Sequence, residues 1–130
     1  MRPKKQPESP AIRDAELEVM RVLWETPPPV PLAHIRAVLA QRCGWEDSTT
    51  KTLLRRLQSK NAVRLESRGM YAPILTRQEF DRQSARTLVD RLFDGSAKKL
   101  VAALVSDGAL SRQDVAELTA LFHEGDADHA

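Results

Sequence analysis

The sequence predicts a mainly α-helical chain with a small β-hairpin: an N-terminal winged helix-turn-helix joined to a C-terminal three-helix dimerisation module. Three observations lead there. Three helical segments are followed by two short strand-like runs around Ser67-Arg68-Gly69, the order of a winged helix. The third helical segment has one face of leucines and one of hydroxyls and cations. Residues 76–122 then hold three more capped amphipathic segments, a poor independent core by themselves.

Taken in chain order, Met1 to Pro10 mixes three prolines with charge and reads as a disordered basic tail over 1–11. The first helix is expected from about Asp14 to Trp24. Leu17, Met20, Leu23 and Trp24 form its stripe, and Asp14, Glu16 and Glu18 suit the positive end of the helix dipole. Pro27, Pro28, Pro29 and Pro31 forbid its continuation, and Val30 reads as a short edge strand. The second helix is expected over about Leu32 to Gln41, with Leu32, Ile35, Val38 and Leu39 inward, Gly44 helping to end it and Trp45 packing over the junction. Asp47 or Ser48 caps the third, which reaches about Lys60, where Asn61 tolerates a left-handed stop. Ala62–Glu66 and Met70–Leu75 are the strands.

Thr76 with Glu79 three residues on is a capping box, opening a fourth helix through Phe80, Leu88, Val89, Leu92 and Phe93. Ser96 caps a fifth, with Leu100, Val101, Leu104 and Val105, which Gly108 stops; Ser111 with Asp114 caps a sixth. The apolar faces left over are expected to find partners on a second copy of the chain, the alternative being a packed intramolecular lobe. Leu88, Leu92, Phe93, Leu100, Leu104, Val115, Leu118, Leu121 and Phe122 are the expected dimer interface. The division is therefore a tail over 1–11, a winged-helix domain over 12–75, a helical dimerisation domain over 76–122 and an acidic tail over 123–130.

Composition limits the functions. With 42% hydrophobic and 29% charged residues the chain resembles an ordinary globular protein, and no apolar run nears the ~20 residues of a membrane span. The single cysteine, Cys43, rules out an intramolecular disulfide and a thiolate cluster, and a reducing cytoplasm fits best. The net charge of +2 conceals an asymmetry. Residues 1–75 carry 13 Lys and Arg against 8 Asp and Glu, whereas residues 76–130 carry 7 against 10. From Ser48 to Arg68 the bases are Lys51, Arg55, Arg56, Lys60, Arg64 and Arg68, against one acid, Glu66. Such a concentration suits a polyanion partner. Ser48, Thr49, Lys51, Thr52, Arg55 and Arg56 share the polar face of the third helix, where cations neutralise phosphates and small hydroxyls approach phosphate oxygens or base edges.

Three motifs in order then resemble a known family. Asp14 to Trp24 looks like its first-helix signature D-A-E-x-E-V-M-x-x-L-W. Trp45-x-x-x-Thr49-x-x-Thr52-Leu53-Leu54-x-Arg56-Leu57 resembles its recognition helix, and Asp90 to Ser96 its dimer-domain motif. On these the chain is similar to the penicillinase-repressor family of BlaI, MecI and the copper repressor CopY, over about residues 12–122. The resemblance implies a homodimeric, sequence-specific transcriptional repressor, two recognition helices (about 48–60) entering the major grooves of a pseudo-palindromic double-stranded DNA operator. By position, Thr49 and Thr52 would touch base edges or phosphates, and Lys51, Arg55 and Arg56 the backbone, with Lys60 and the wing residues Arg64 and Arg68 completing the surface. Arg56 has an alternative, pairing with Glu16 or Glu18 to hold the third helix on the first.

The chain departs from the family pattern in four places. Arg13 stands where a Ser or Thr cap is usual, with Asp14 as a substitute, and the wing is short around Arg68-Gly69-Met70-Tyr71. Ala103-Leu104 lies where antibiotic-responsive members are cut at Asn-Phe, which argues against a membrane sensor protease as partner. The C-terminal Cys-x-Cys motifs of the copper-responsive members are missing, so thiolate Cu(I) control is not expected. No catalytic motif or cofactor loop stands out, and the chain reads as a non-enzyme without cofactor or metal. His123, Glu124, Asp126, Asp128 and His129 read as a solvated acidic end, and His34 as an exposed helix residue without visible partner. The rival functions are a winged-helix protein-interaction adaptor and a thiol redox sensor through Cys43.

Overall fold

A computed structural model describes residues 12–129, with side chains to residue 124. The basic tail expected over 1–11 lies outside the described residues. In chain order the elements are α1 (Asp14–Glu25), β1 (Val30–Pro31), α2 (Leu32–Cys43), α3 (Asp47–Ser59), β2 (Val63–Ser67), β3 (Met70–Pro73), α4 (Arg77–Leu92), α5 (Ala97–Asp107) and α6 (Arg112–His129). They fall into two units that meet within α4, one ending at Phe80 and the other beginning at Asp81.

The first unit is a winged helix. Its three strands are antiparallel in the order β1-β3-β2, with Val30 opposite Tyr71 and Leu65 also opposite Tyr71 from the other side. Pro31 lacks an N–H, which suits the outer strand and the start of α2. α1, α2 and α3 close over the sheet around Met20, Leu23, Ile35, Leu39, Leu54 and Leu57, all essentially solvent-free. The α1 stripe is turned from the expected one: Glu16, Val19, Met20, Val22 and Leu23 are buried, while Leu17 and Trp24 are half-buried. Trp24 remains tied to this unit, its indole N–H donating to the Leu75 carbonyl at 2.9 Å. The Phe80 ring lies 5.5 Å from it and the Arg77 guanidinium 5.2 Å over its face. Phe80 therefore packs with the winged helix, five residues beyond the boundary expected at 75.

Two helix starts differ from expectation. α1 has Arg13 as cap and Asp14 as first helical residue; Asp14 is no substitute cap, because the Glu16 carboxylate reaches back to take the Arg13 N–H at 2.9 Å. α3 is capped at Glu46, one residue before the expected Asp47 or Ser48, with the Glu46 carbonyl accepting from Thr49 and Thr50. α2 runs two residues past Gln41 to Cys43, and Gly44 at φ 70° closes it by donating to the Ala40 carbonyl. Asn61, at φ 63°, makes the expected left-handed stop after α3.

The described part of the second unit is helical, and the caps of α4, which starts in the first unit, and of α5 and α6 form as the sequence pattern demands. The Thr76 hydroxyl accepts from the Glu79 N–H (3.1 Å) while Glu79 accepts from the Thr76 N–H (2.9 Å). Ser96 accepts from the Lys99 N–H at 3.1 Å, and Ser111 and Asp114 exchange two bonds of 3.0 Å. α6 continues to His129, through the stretch expected as an acidic tail. Among the described residues, no side chain of α4 or α5 is fully buried, Phe80 at the start of α4 being half-buried against the first unit's core.

Candidate nucleic-acid interface

α3 is amphipathic because Thr50, Leu53, Leu54 and Leu57 recur at helical spacing and seat it in the core. That seating turns Ser48, Thr49, Lys51, Thr52, Arg55 and Arg56 outward, all exposed. Ser48, Thr49, Thr52, Leu53 and Arg56 line a shallow concavity of about 230 Å³ on this face. Three hydroxyl side chains (Ser48, Thr49 and Thr52) and the Arg56 guanidinium contribute to its lining. The outward face carries donors and positive charge and no carboxylate between Ser48 and Ser59.

The remaining cations expected on this surface are placed differently from one another. Lys60 turns toward α1: its ammonium lies on the Glu16 carboxylate, with Glu16 almost wholly buried and the Lys60 side chain 18% exposed. Glu16 thus has Lys60 as its partner, not Arg56. Arg64 on β2 donates to Glu66 at 2.8 Å, so a neighbouring carboxylate offsets its charge. Arg68 is exposed in the hairpin turn, where Gly69 takes φ 70°. That turn is anchored at its base, because the Leu32 N–H donates to the Gly69 carbonyl at 2.8 Å and fixes the wing against the start of α2.

Three placements around this surface escaped the sequence reading: Arg36 beside α3, and the burial of Glu16 and Thr50 beneath it. Arg36 on α2 brings its Nε within 3.9 Å of Asp47 Oδ1 at the start of α3, where the carboxylate offsets its charge as Glu66 does for Arg64. Its signal in the sequence is slight, a position next to the inward Ile35. Glu16 and Thr50 are polar residues that the fold buries, against the usual expectation for their types. Burial pushes the Glu16 carboxyl up, but the Arg13 N–H and the Lys60 ammonium outweigh it and hold the group below its ordinary value.

The other titratable candidates are structural. Glu25 and Arg42 form a double hydrogen bond (2.7 and 3.2 Å) joining the ends of α1 and α2, and Arg42 holds the Glu25 carboxyl below its usual range. His34 has a neighbour after all: Thr26 donates its hydroxyl to the Val22 carbonyl at 3.0 Å, leaving the oxygen to accept from His34 Nε2 at 3.4 Å. Cys43 is half-buried against the core, and burial, helped by Glu18, pushes its thiol up. A raised thiol holds little thiolate at neutral pH. No group of His, Cys, Asp and Glu among the described residues is arranged to hold a metal.

In the second unit the residues expected at a dimer interface are open. Leu92, Leu121 and Phe122 are 66%, 60% and 72% exposed, Leu88, Leu104, Val115 and Leu118 are also exposed, and Phe93 and Leu100 are half-buried. Val101 and Val105 of α5 are exposed as well.

Residues 12–124 match the family model described as Penicillinase repressor. The penicillinase repressor of Bacillus licheniformis is 26% identical over 118 residues, covering 88% of this chain and 91% of that protein. An uncharacterized 16.5 kDa protein in the ptsI 3′ region of Latilactobacillus sakei is 29% identical over 114 residues, covering 85% and 77%. Among solved structures, the solution structure of the Bacillus licheniformis BlaI monomeric form in complex with the blaP half-operator is 32% identical. It covers 55% of this chain and 90% of that one, with a TM-score of 0.47.

Proposed function

The chain belongs to the penicillinase repressor family, and from that premise we propose that it is a DNA-binding transcriptional repressor acting as a homodimer on a pseudo-palindromic operator. The observation that carries the reading is the outward face of α3, all hydroxyls, amide and cations, on a helix whose other face is locked into the core. In this reading α3 lies in the major groove. Thr49 and Thr52 meet base edges, and Ser48, Lys51, Arg55 and Arg56 hold phosphates on either side. Arg68 reaches the backbone from the wing. The exposed apolar side chains of α4, α5 and α6 join two copies, which sets two half-sites about one helical turn apart.

Repression in this reading is occupancy of a promoter, with no chemical step by the protein. No helix among the described residues is long and apolar enough to cross a membrane. The raised Cys43 thiol speaks against a redox switch at that residue, and no observation favours the adaptor reading. The test is selection of genomic fragments by the purified protein, followed by footprinting of the best fragment. A two-fold symmetric protected element in a promoter is the expected result. Binding without sequence preference would overturn the repressor reading.

A further inference from the structure

We infer that Glu16 and Lys60 form a strut that sets the aim of α3, so that Lys60 serves sequence discrimination as a positioning residue and not as a DNA contact. The inference rests on the repressor reading for its functional half.

The geometry places the pair at a junction. Glu16, in the first turn of α1, is 1% exposed, and its Oε1 accepts from both the Arg13 N–H and the Lys60 ammonium. Lys60 caps the C-terminus of α3, and its own N–H donates to the Arg56 carbonyl. Directly after it, Asn61 turns left-handed, and the Ala62 N–H donates to the Leu57 carbonyl while Ala62 O accepts from Ile74 and Leu75. One carboxylate therefore joins the start of α1 to the end of α3, where the chain enters β2. The charges also suit the helix ends, an anion at the N-terminus of α1 and a cation at the C-terminus of α3.

The pair is not explained by packing alone. A buried ion pair is a weak stabiliser compared with apolar side chains of the same volume, but it holds one geometry where apolar contacts allow sliding. Core leucines fix how deeply α3 is seated. The strut fixes its tilt, because it acts at the end away from Ser48 and Thr49. A tilt of this helix moves Thr49, Thr52 and Arg56 relative to any groove they enter, while charge at the surface is unchanged. Sequence preference is thus sensitive to the strut and general affinity for DNA is not.

The experiment compares full-length wild type, Glu16→Gln, Lys60→Met and Lys60→Arg on two duplexes, the footprinted operator and a scrambled one, across a salt series. The expected result is a loss of operator affinity of about ten-fold in Glu16→Gln and Lys60→Met, the scale of one misaligned base contact. Affinity for the scrambled duplex and the salt slope stay at wild-type values, and Lys60→Arg keeps most of the preference. Equal weakening on both duplexes, with the slope flattened by about 0.9 per protomer, would make Lys60 a phosphate contact and overturn the inference. An unchanged operator preference in folded Glu16→Gln overturns it as well. Should a single variant fail to fold, the double variant Glu16→Gln/Lys60→Met removes both charges and gives the same two readings. Hydrogen exchange supplies an arm without DNA: faster exchange from Arg56 to Val63 with α2 unaltered supports the strut, and unaltered exchange there overturns it. Wild type with no preferred DNA refutes the repressor reading instead, and the exchange arm still decides the strut.

Discussion

The unit ending at Phe80 and the unit beginning at Asp81 are made of similar helices, each capped and each with an apolar stripe, yet they dispose of those stripes in opposite ways. In the first, Met20, Leu23, Ile35, Leu39, Leu54 and Leu57 lose essentially all contact with water. In the second, Leu92, Leu121 and Phe122 keep well over half of theirs. The three strands make the difference: with a sheet to close against, α1, α2 and α3 have an inside. α5 and α6 have good local signals, Ser96 and Ser111 as caps and Gly108 as a stop, but caps specify helices and not cores. A surface of this kind is where a second copy gains most by binding.

The sharpest way to break the comparison is Leu118→Asp. Placed in a dimer interface, a carboxylate without partner should give monomers by sedimentation and lower operator affinity about 100-fold or more as the second half-site is lost. The first unit should not notice. Both tryptophans, Trp24 and Trp45, belong to it, so fluorescence-monitored denaturation should give the wild-type midpoint at concentrations where wild type is monomeric. An intact dimer refutes the proposed interface. The mirror-image variant is Leu54→Ala, in the solvent-free core, which should cost about 2–5 kcal/mol of the first unit's stability in urea denaturation. A cost under 1 kcal/mol would mean that the core can close over the gap, contrary to its burial.

Glu16 sharpens the comparison through pH. Its carboxyl is held below its ordinary value in the fold, so the unfolded chain binds the proton more readily and stability rises with pH across the interval between the two values. Its contribution is complete above the ordinary carboxylate range and is lost as pH falls through the lowered value. Glu16→Gln should therefore lose about 1–3 kcal/mol at pH 7, and the gap from wild type should shrink as denaturation is repeated at successively lower pH below about 4. A gap that does not change with pH would show that the carboxylate's charge is immaterial.

Much of the architecture was legible in the sequence, because short-range chemistry dictates it. Thr76 with Glu79, Ser111 with Asp114, Asn61 and Gly44 mark helix ends through groups a few residues apart, and the structure has them there. The leucine face of α3 was equally plain, since a period of three to four residues is local information. What the sequence hid depends on separation. Lys60 looked like one more cation in a basic run until α1, 44 residues earlier, put Glu16 beside it. Arg64 was hidden at shorter range, for strand geometry alone brings Glu66 to the same face. Phe80 was hidden for the same reason as Lys60: it sits on a helix of the second half by period but packs against Trp24 of the first.

The smallest effects test the two faces of α3 through two threonines. Thr50 is 1% exposed, and its hydroxyl has no hydrogen-bond partner among the described residues. Thr52, two positions on, is exposed on the proposed groove face. Valine has nearly the shape of threonine and similar helix propensity, so Thr→Val isolates the hydroxyl at each site. At Thr50 it removes an orphaned polar group and should stabilise the first unit by about 1 kcal/mol, with operator affinity unchanged. At Thr52 it should leave stability within about 0.5 kcal/mol of wild type and weaken operator binding by about 1–3 kcal/mol, since a base edge loses its partner. Urea denaturation and titration of the footprinted duplex read both. If Thr50→Val weakens the operator and Thr52→Val does not, α3 presents the opposite face to DNA, and the reading of its leucines as core and its hydroxyls as interface fails together.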